Sequence, residues 1–317
     1  MADSDEEKHE VIERKQRTRD LSLIKNKIRR NELYREEKQL KSKEKKKERA
    51  KRKRERQEAG EDYEPPKRAQ KTLDNMRVKD NTMVEGEDEE VLQDAMTDEF
   101  ASTFTGEKIP KVLFTTSTRP KCHETMMFIK DLLSVIPNSE YKYRKGVDFK
   151  EVVKQAKEKD YTSIVVVNED QKKANALVVS HLPDGPTLHF KLSSSKRSWK
   201  IKNHGKASSH RPELVLNNFN TRLGHTVGRS LASIFPYNPQ FQGRRVVTFH
   251  NQRDFIFFRQ HRYIFKNKKK VGLQEIGPRF TLKLRSIQKG TFDSKFGEYE
   301  WIHKRHEMDS SRRKFHL

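Results

Sequence analysis

Rings and cations interleave densely from Arg244 to Leu284, in the run RRVVTFHNQRDFIFFRQHRYIFKNKKKVGLQEIGPRFTLKL. Aromatic rings stack on unpaired bases while Arg and Lys neutralise phosphates, and few targets other than RNA need both at once. A plainer alternative is a buried strand pair with solvated outer faces, in which Val246, Phe249, Phe255 and Phe257 are core. The two readings combine if one face of a sheet is core and the other meets RNA.

Other residue types suggest chemistry that their surroundings do not support. Ser193–Lys196 matches the SxxK of serine acyl-enzymes, but the companion SDN and KTG motifs are missing and the match lies in a polar, basic stretch. His303 and His306, with Glu298, Glu300 and Glu307 nearby, would need stable elements to converge on a metal, and this segment reads as a tail. Neither GxxxxGK[ST] nor GxGxxG occurs. The acidic residues are scattered, and only convergence of Asp254, Glu275 and Asp293 in space would build a magnesium site for phosphoryl chemistry. No cofactor, metal or small-molecule substrate is therefore expected.

The elements that must position these residues occupy part of the chain. Of 317 residues, 32% are hydrophobic and 36% charged, so a sizeable part buries nothing. The net charge of +23 calls for a polyanion partner. Residues 1–70 are basic, 71–107 acidic, and 108–317 carry essentially all the net basicity. A folded basic surface favours nucleic acid over a membrane, because no amphipathic helix sets a bulky apolar face beside a lysine cluster. The single cysteine, Cys122, excludes an intramolecular disulfide and a cysteine-rich zinc site. No apolar run reaches the length of a bilayer span, and the acidic N-terminus is not a signal peptide. Lys45–Arg56, KKKERAKRKRER, suits nuclear import or a solvated helix.

Residues 20–58 read as a helix capped by Asp20, with Leu21, Ile24 and Ile28 at helical spacing and almost nothing apolar beyond Leu40. It is expected to be exposed, partly disordered or laid on RNA. Residues 71–107 read as an acidic linker ending in an apolar anchor, Phe100–Phe104. Folded structure is expected from Lys108: a strand at Lys111–Ser117, a helix through Met126, Ile129 and Leu133, a possible strand at Tyr141–Arg144, and a helix through Phe149, Val152 and Val153. A buried strand at Ser163–Asn168 follows, then a hairpin of Leu177–Ser180 with Thr187–Leu192, and a basic loop at Ser193–Arg211. The pattern restarts with a strand at Glu213–Phe219 and a helix through Val227 and Leu231. The strands Val246–Phe249, Phe255–Phe258, Tyr263–Phe265 and Phe280–Leu284 complete it. Thr118-Arg119 and Thr221-Arg222 sit at corresponding points, which suggests two related α/β halves, about 108–208 and 209–293, followed by a basic tail at 294–317.

The segments TTSTRP (Thr115–Pro120), SHLPDGPTLHFKL (Ser180–Leu192), LNNFNTRLGHTVGR (Leu216–Arg229) and TFHNQRDFIFFRQHRYIF (Thr248–Phe265) resemble Brix-domain proteins. So do IPN (Ile136–Asn138), YRKG (Tyr143–Gly146) and EIGPRFTLKLRSIQKGTFDSKFGEYEW (Glu275–Trp301). The resemblance covers Lys108 to Leu317. It implies an α/β fold of two halves, each similar to a class IIa anticodon-binding domain, behind a charged helical or disordered extension. It also implies a nucleolar, non-enzymatic protein that binds precursor rRNA of the large subunit alongside other pre-60S assembly factors. The family's RNA-binding element falls on Phe257–Gln274. The expected contacts there are Phe257, Phe258, Arg259, Gln260, His261, Arg262, Tyr263, Lys266, Lys268, Lys269, Lys270 and Gln274. Tyr263 is the expected stacking ring, while Phe257 and Phe265 stay open between stacking and core. Lys196, Arg197, Lys200, Lys202 and Lys206 form a second basic surface, where Trp199 is read as pinning its loop rather than stacking.

Overall fold

In the computed structural model, the described residues are 24–58, 70, 72, 75–84, 88–117, 120, 122–267, 270–293, 296–304 and 314–317. The chain divides into two compact units, Met1–Gln70 and Lys71–Leu317. The first contains one long helix, α1 (Lys27–Glu58). The helix starts later than the sequence predicts. Asn26 caps it, its Oδ1 accepting from the Ile28 amide at 3.0 Å, and the expected cap Asp20 lies outside the described residues. Ile28, Tyr34 and Leu40 are all exposed, so α1 has no buried stripe among its described side chains, as its composition implies.

The second unit opens with two short helices, α2 (Glu89–Thr97) and α3 (Ala101–Phe104). The acidic segment was expected to be a linker, and here it docks instead. Phe100 is 3% exposed, its ring edge-on to His181 at 4.8 Å. Asp98 forms a two-pronged ion pair with Arg229, and Glu90 pairs with Arg222. Negative charge that would solvate a free linker is neutralised by arginines of the fold, and the Phe100 anchor supplies apolar burial.

Then follow β1 (Val112–Thr116), α4 (His123–Val135), β2 (Ser139–Tyr141), α5 (Phe149–Glu158), β3 (Ser163–Asp170), β4 (Lys173–His181) and β5 (Thr187–Lys196). The second half runs β6 (Glu213–Asn217), α6 (Arg222–Ala232), β7 (Arg245–Gln252), β8 (Phe255–Asn267), β9 (Lys270–Glu275), β10 (Arg279–Gln288) and β11 (Tyr299–Ile302). The strands join one 11-stranded sheet in the order β2-β1-β3-β4-β5-β10-β8-β7-β6, with β11 on β10 and β9 on β8.

The two halves repeat one progression. The pairs β1/β3 and β6/β7 are parallel, β3–β4 and β7–β8 are antiparallel, and β5 meets β10 to join the halves. Thr221 caps α6, its Oγ1 accepting from the Gly224 amide at 2.9 Å, whereas Thr118 and Arg119 lie outside the described residues. Helices α4 and α6 bury Phe128, Ile129, Leu132, Val227 and Leu231 in one core with Phe114, Phe190, Phe249, Phe258, Phe280 and Leu282. The opposite face of the first half is covered as well: α5 packs Phe149, Val153 and Ala156 on Leu113, Tyr161 and Ile164. Between α6 and β7 the second half has only a short 3-10 turn, Phe241–Gly243.

Three expectations need correction. Phe255–Phe258 and Tyr263–Phe265 are one continuous strand, and β9 was not anticipated, because KKKVGLQ reads as a charged loop until β8 supplies a partner. The core phase on β7 and β8 is Val247, Phe249, Ile256 and Phe258, not Val246, Phe255 and Phe257. The end of the tail is anchored. Leu317 is 1% exposed, the Arg77 guanidinium donates to the Phe315 and Leu317 carbonyls, and Asp254 Oδ1 accepts from the His316 and Leu317 amides at 2.8 and 2.9 Å.

Candidate nucleic-acid interface

Strand β8 carries most of the expected contacts, and its period of two divides them. Ile256, Phe258 and Gln260 face the core and are essentially unexposed. Phe258 stacks on Phe280 at 4.3 Å. Gln260 fits with its side-chain oxygen toward the Arg245 guanidinium and its nitrogen toward the Gly277 carbonyl. Neither reaches RNA from there, so both leave the expected set. The opposite phase faces away from the core: Phe255, Phe257, Arg259, His261, Tyr263 and Phe265.

Arg259 lies with its guanidinium 5.9 Å from the Phe257 ring centre and donates to the Phe258 carbonyl at 2.7 Å. Burial holds His261 below the ordinary histidine value, with Glu275 opposing and Arg259 and Arg279 adding to the shift. Its imidazole is therefore neutral at pH 7, able to hydrogen-bond a base edge but not to neutralise phosphate. The Tyr263 hydroxyl donates to Glu213, which raises its own pKa, and its ring stands edge-on to Phe265 at 5.4 Å.

Beyond the core β8 and β9 continue as an arm. Arg262 lies opposite Gln274, Tyr263 opposite Leu273, and Phe265 opposite Val271. Arg262, Lys266, Lys270 and Gln274 are exposed, and Lys268 and Lys269 lie outside the described residues. Phe265 and Leu273 are also bare, at 67% and 63% exposure.

The loop after β5 adjoins the base of this arm. The Gly205 amide donates to the Glu275 carbonyl at 2.8 Å, and Gly277 packs so closely on Ser198 and Ile201 that a side chain there would collide with them. The two basic surfaces read separately from the sequence are thus neighbours. Lys196, Lys202 and Lys206 are exposed. Arg197 is committed elsewhere, lying 3.6 Å from Asp131 and 3.9 Å from Glu124, and Lys200 pairs with Glu124 at 3.1 Å. Trp199 does not pin the loop. It is 57% exposed between Arg197 and Lys200, while buried Ile201 does the pinning.

The sequence reading missed part of the outer face. Lys283 on β10 sits 5.0 Å from the centre of the Phe255 ring, and Lys191 on β5 lies directly opposite Lys283. The alternation of TLKL and HFKL was the available signal, had it been carried across strands.

Asp254, Glu275 and Asp293 do not converge: Asp254 holds the C-terminal amides, Glu275 binds Arg279, and Asp293 lies 3.8 Å from Lys150. Among the described residues no group of three or more His, Cys, Asp and Glu side chains could hold a metal. No helix there is long and apolar enough to cross a membrane.

Residues 119–286 match the model of the Brix domain. Over 298 residues the chain is 57% identical to ribosome production factor 1 of Pongo abelii, covering 94% of this chain and 85% of that one. It is 60% identical to the Danio rerio protein of that name over 253 residues, 80% of this chain and 76% of the relative. A probable ribosomal biogenesis protein of Aeropyrum pernix K1 superposes at a TM-score of 0.43 with 18% identity, covering 55% of this chain and 96% of that one.

Proposed function

The chain belongs to the Brix-domain family and is a ribosome-biogenesis factor; from that premise we propose that it holds precursor rRNA of the large subunit and does no catalysis. One observation carries the reading: the β8–β9 arm and the Lys196–Lys206 loop adjoin at Gly205 and Glu275, so two cationic surfaces form one band on a folded scaffold. Phosphate contacts along such a band fix position without reading sequence, and RNA shape and unpaired bases supply selectivity. Other pre-60S assembly factors are its protein partners, and the nucleus, and within it the nucleolus, is its place of work.

The test is RNA binding by the full chain as salt is varied. Replacing Arg262, Lys266, Lys268, Lys269 and Lys270 with Ala should weaken binding to a precursor fragment and flatten the salt dependence. The expected loss of slope is roughly 0.7–0.9 for each phosphate contact removed. An unchanged slope would remove the arm from the interface.

A second reading has an observation in its favour. The arm exposes Ile264, Val271 and Leu273, aliphatic side chains that suit a protein partner better than a base. In that case the protein is a hub whose tails hold the RNA, and crosslinks to RNA would fall in those tails alone.

A further inference from the structure

The first half carries β2 and α5 where the second half carries a 3-10 turn, and the difference sets the outer faces of the two halves apart. In the first half, the stretch from α4 to β3 contains β2 and α5, and α5 covers the sheet face turned away from the main core. In the second half, the stretch from α6 to β7 contains only the 3-10 turn. Among the described residues of this unit no helix packs on the corresponding face of β7, β8 and β10, and its side chains are unlike those of a face awaiting one. Phe255 is 41% exposed with the Lys283 ammonium above it, and Phe257, two residues on, has the Arg259 guanidinium above it. Burial, together with the nearby Arg279, lowers the Arg259 pKa from its ordinary value, yet the group stays charged at neutral pH.

Lys191 lies directly across from Lys283 on this face. Like charges placed opposite each other on a sheet destabilise it, and among the described residues no carboxylate pairs with either. The carboxylates that border the face are engaged, Glu213 by Tyr263 and Glu275 by Arg279. Two flat rings one pleat apart, each beside a cation, next to an uncompensated lysine pair, suit a ligand that is flat and anionic at a repeating interval.

We infer that this bare sheet face, centred on Phe255 and Phe257 with Lys283, Arg259 and Lys191, is a stacking platform for unpaired bases of single-stranded RNA. The inference rests on the RNA-binding reading above and adds to it the form of RNA and the surface that selects it. A base stacked on Phe255 brings its phosphate within reach of Lys283, and the next base along reaches Phe257 and Arg259. Duplex RNA keeps its ring faces stacked inside the helix, so it gains the cations of the platform but not its rings.

The test compares an unstructured single-stranded RNA with a perfect hairpin of the same length, each titrated with the full chain at fixed salt and across a salt series. Phe255→Ala together with Phe257→Ala should lower single-strand affinity by about 10- to 100-fold, on the scale of one to two lost stacks. Hairpin affinity and the salt slope should stay as in the parent. Phe255→Leu keeps a bulky apolar side chain but removes the flat face, and should itself lower single-strand affinity about tenfold. Because Leu disturbs the strand little, this second variant decides the matter if the double variant folds poorly. Unchanged single-strand affinity in Phe255→Leu, or equal losses for both RNAs, would overturn the platform while leaving the arm as an RNA contact. Absence of binding of either RNA by the parent protein would instead overturn the RNA-binding reading and the platform with it.

Discussion

Among the described residues of Lys71–Leu317, the first half of the fold sandwiches its sheet between helices, and the second half covers only one side. Both step from a parallel to an antiparallel strand pair and set an equivalent helix, α4 or α6, on the shared core. Beneath α5 the first half places Leu113, Tyr161 and Ile164. On the bare face the second half places Phe255, Phe257, Arg259 and Lys283. A covered face is selected for packing, and an uncovered face is free to carry groups that would be ruinous if buried without partners. The proposed RNA platform lies in the half that has no counterpart of α5.

Stability gives the widest contrast. Ile164→Ala, beneath α5, should cost about 2–5 kcal/mol through lost burial and a residual cavity. Phe255→Ala, on the bare face, should cost less than about 1 kcal/mol. Urea midpoints of the two variants check this directly, and equal losses would mean that the second face is structurally covered after all.

A smaller effect, readable only through pH, probes the joint between the halves. His181 of β4 is fully buried, its Nδ1 3.0 Å from Ser163 Oγ and its Nε2 2.7 Å from Ser230 Oγ of α6. Burial pushes its pKa down to about 3. The unfolded chain takes up this proton near the ordinary value of 6.5, while the folded chain resists until about pH 3. The stabilisation from a neutral His181 is thus complete above pH 6.5 and is lost progressively as the pH falls toward 3. His181→Gln should flatten the acid limb of the thermal midpoint measured over that range, and an unaltered limb would show that His181 does not set it.

Much of this was legible in the residues. β1, β3, β4 and the two core-facing helices follow from apolar runs and helical spacing, and the restart at Glu213 follows from the recurrence of strand and helix. The phase of β8 did not follow. FIFFRQ has phenylalanines on both phases, so its own pattern cannot say which face is core; Phe280 and Phe249, packed beside Phe258, decide it. The docking of the acidic segment was hidden for a related reason. Asp98 and Glu90 look solvated until α6 presents Arg229 and Arg222 to them. Trp199 reads as an anchor because a large ring in a polar loop suggests one, while the smaller Ile201 fills that role. In each case the deciding partner lies far away in sequence.

The most direct measurement is ultraviolet crosslinking of the full chain to precursor rRNA of the large subunit, mapped to single residues. The account predicts crosslinks on β8, at Phe255, Phe257 and Tyr263, and none on the α5 side around Lys154 and Lys157. Crosslinks confined to Lys27–Glu58 or to the α5 side, with β8 silent, would contradict it.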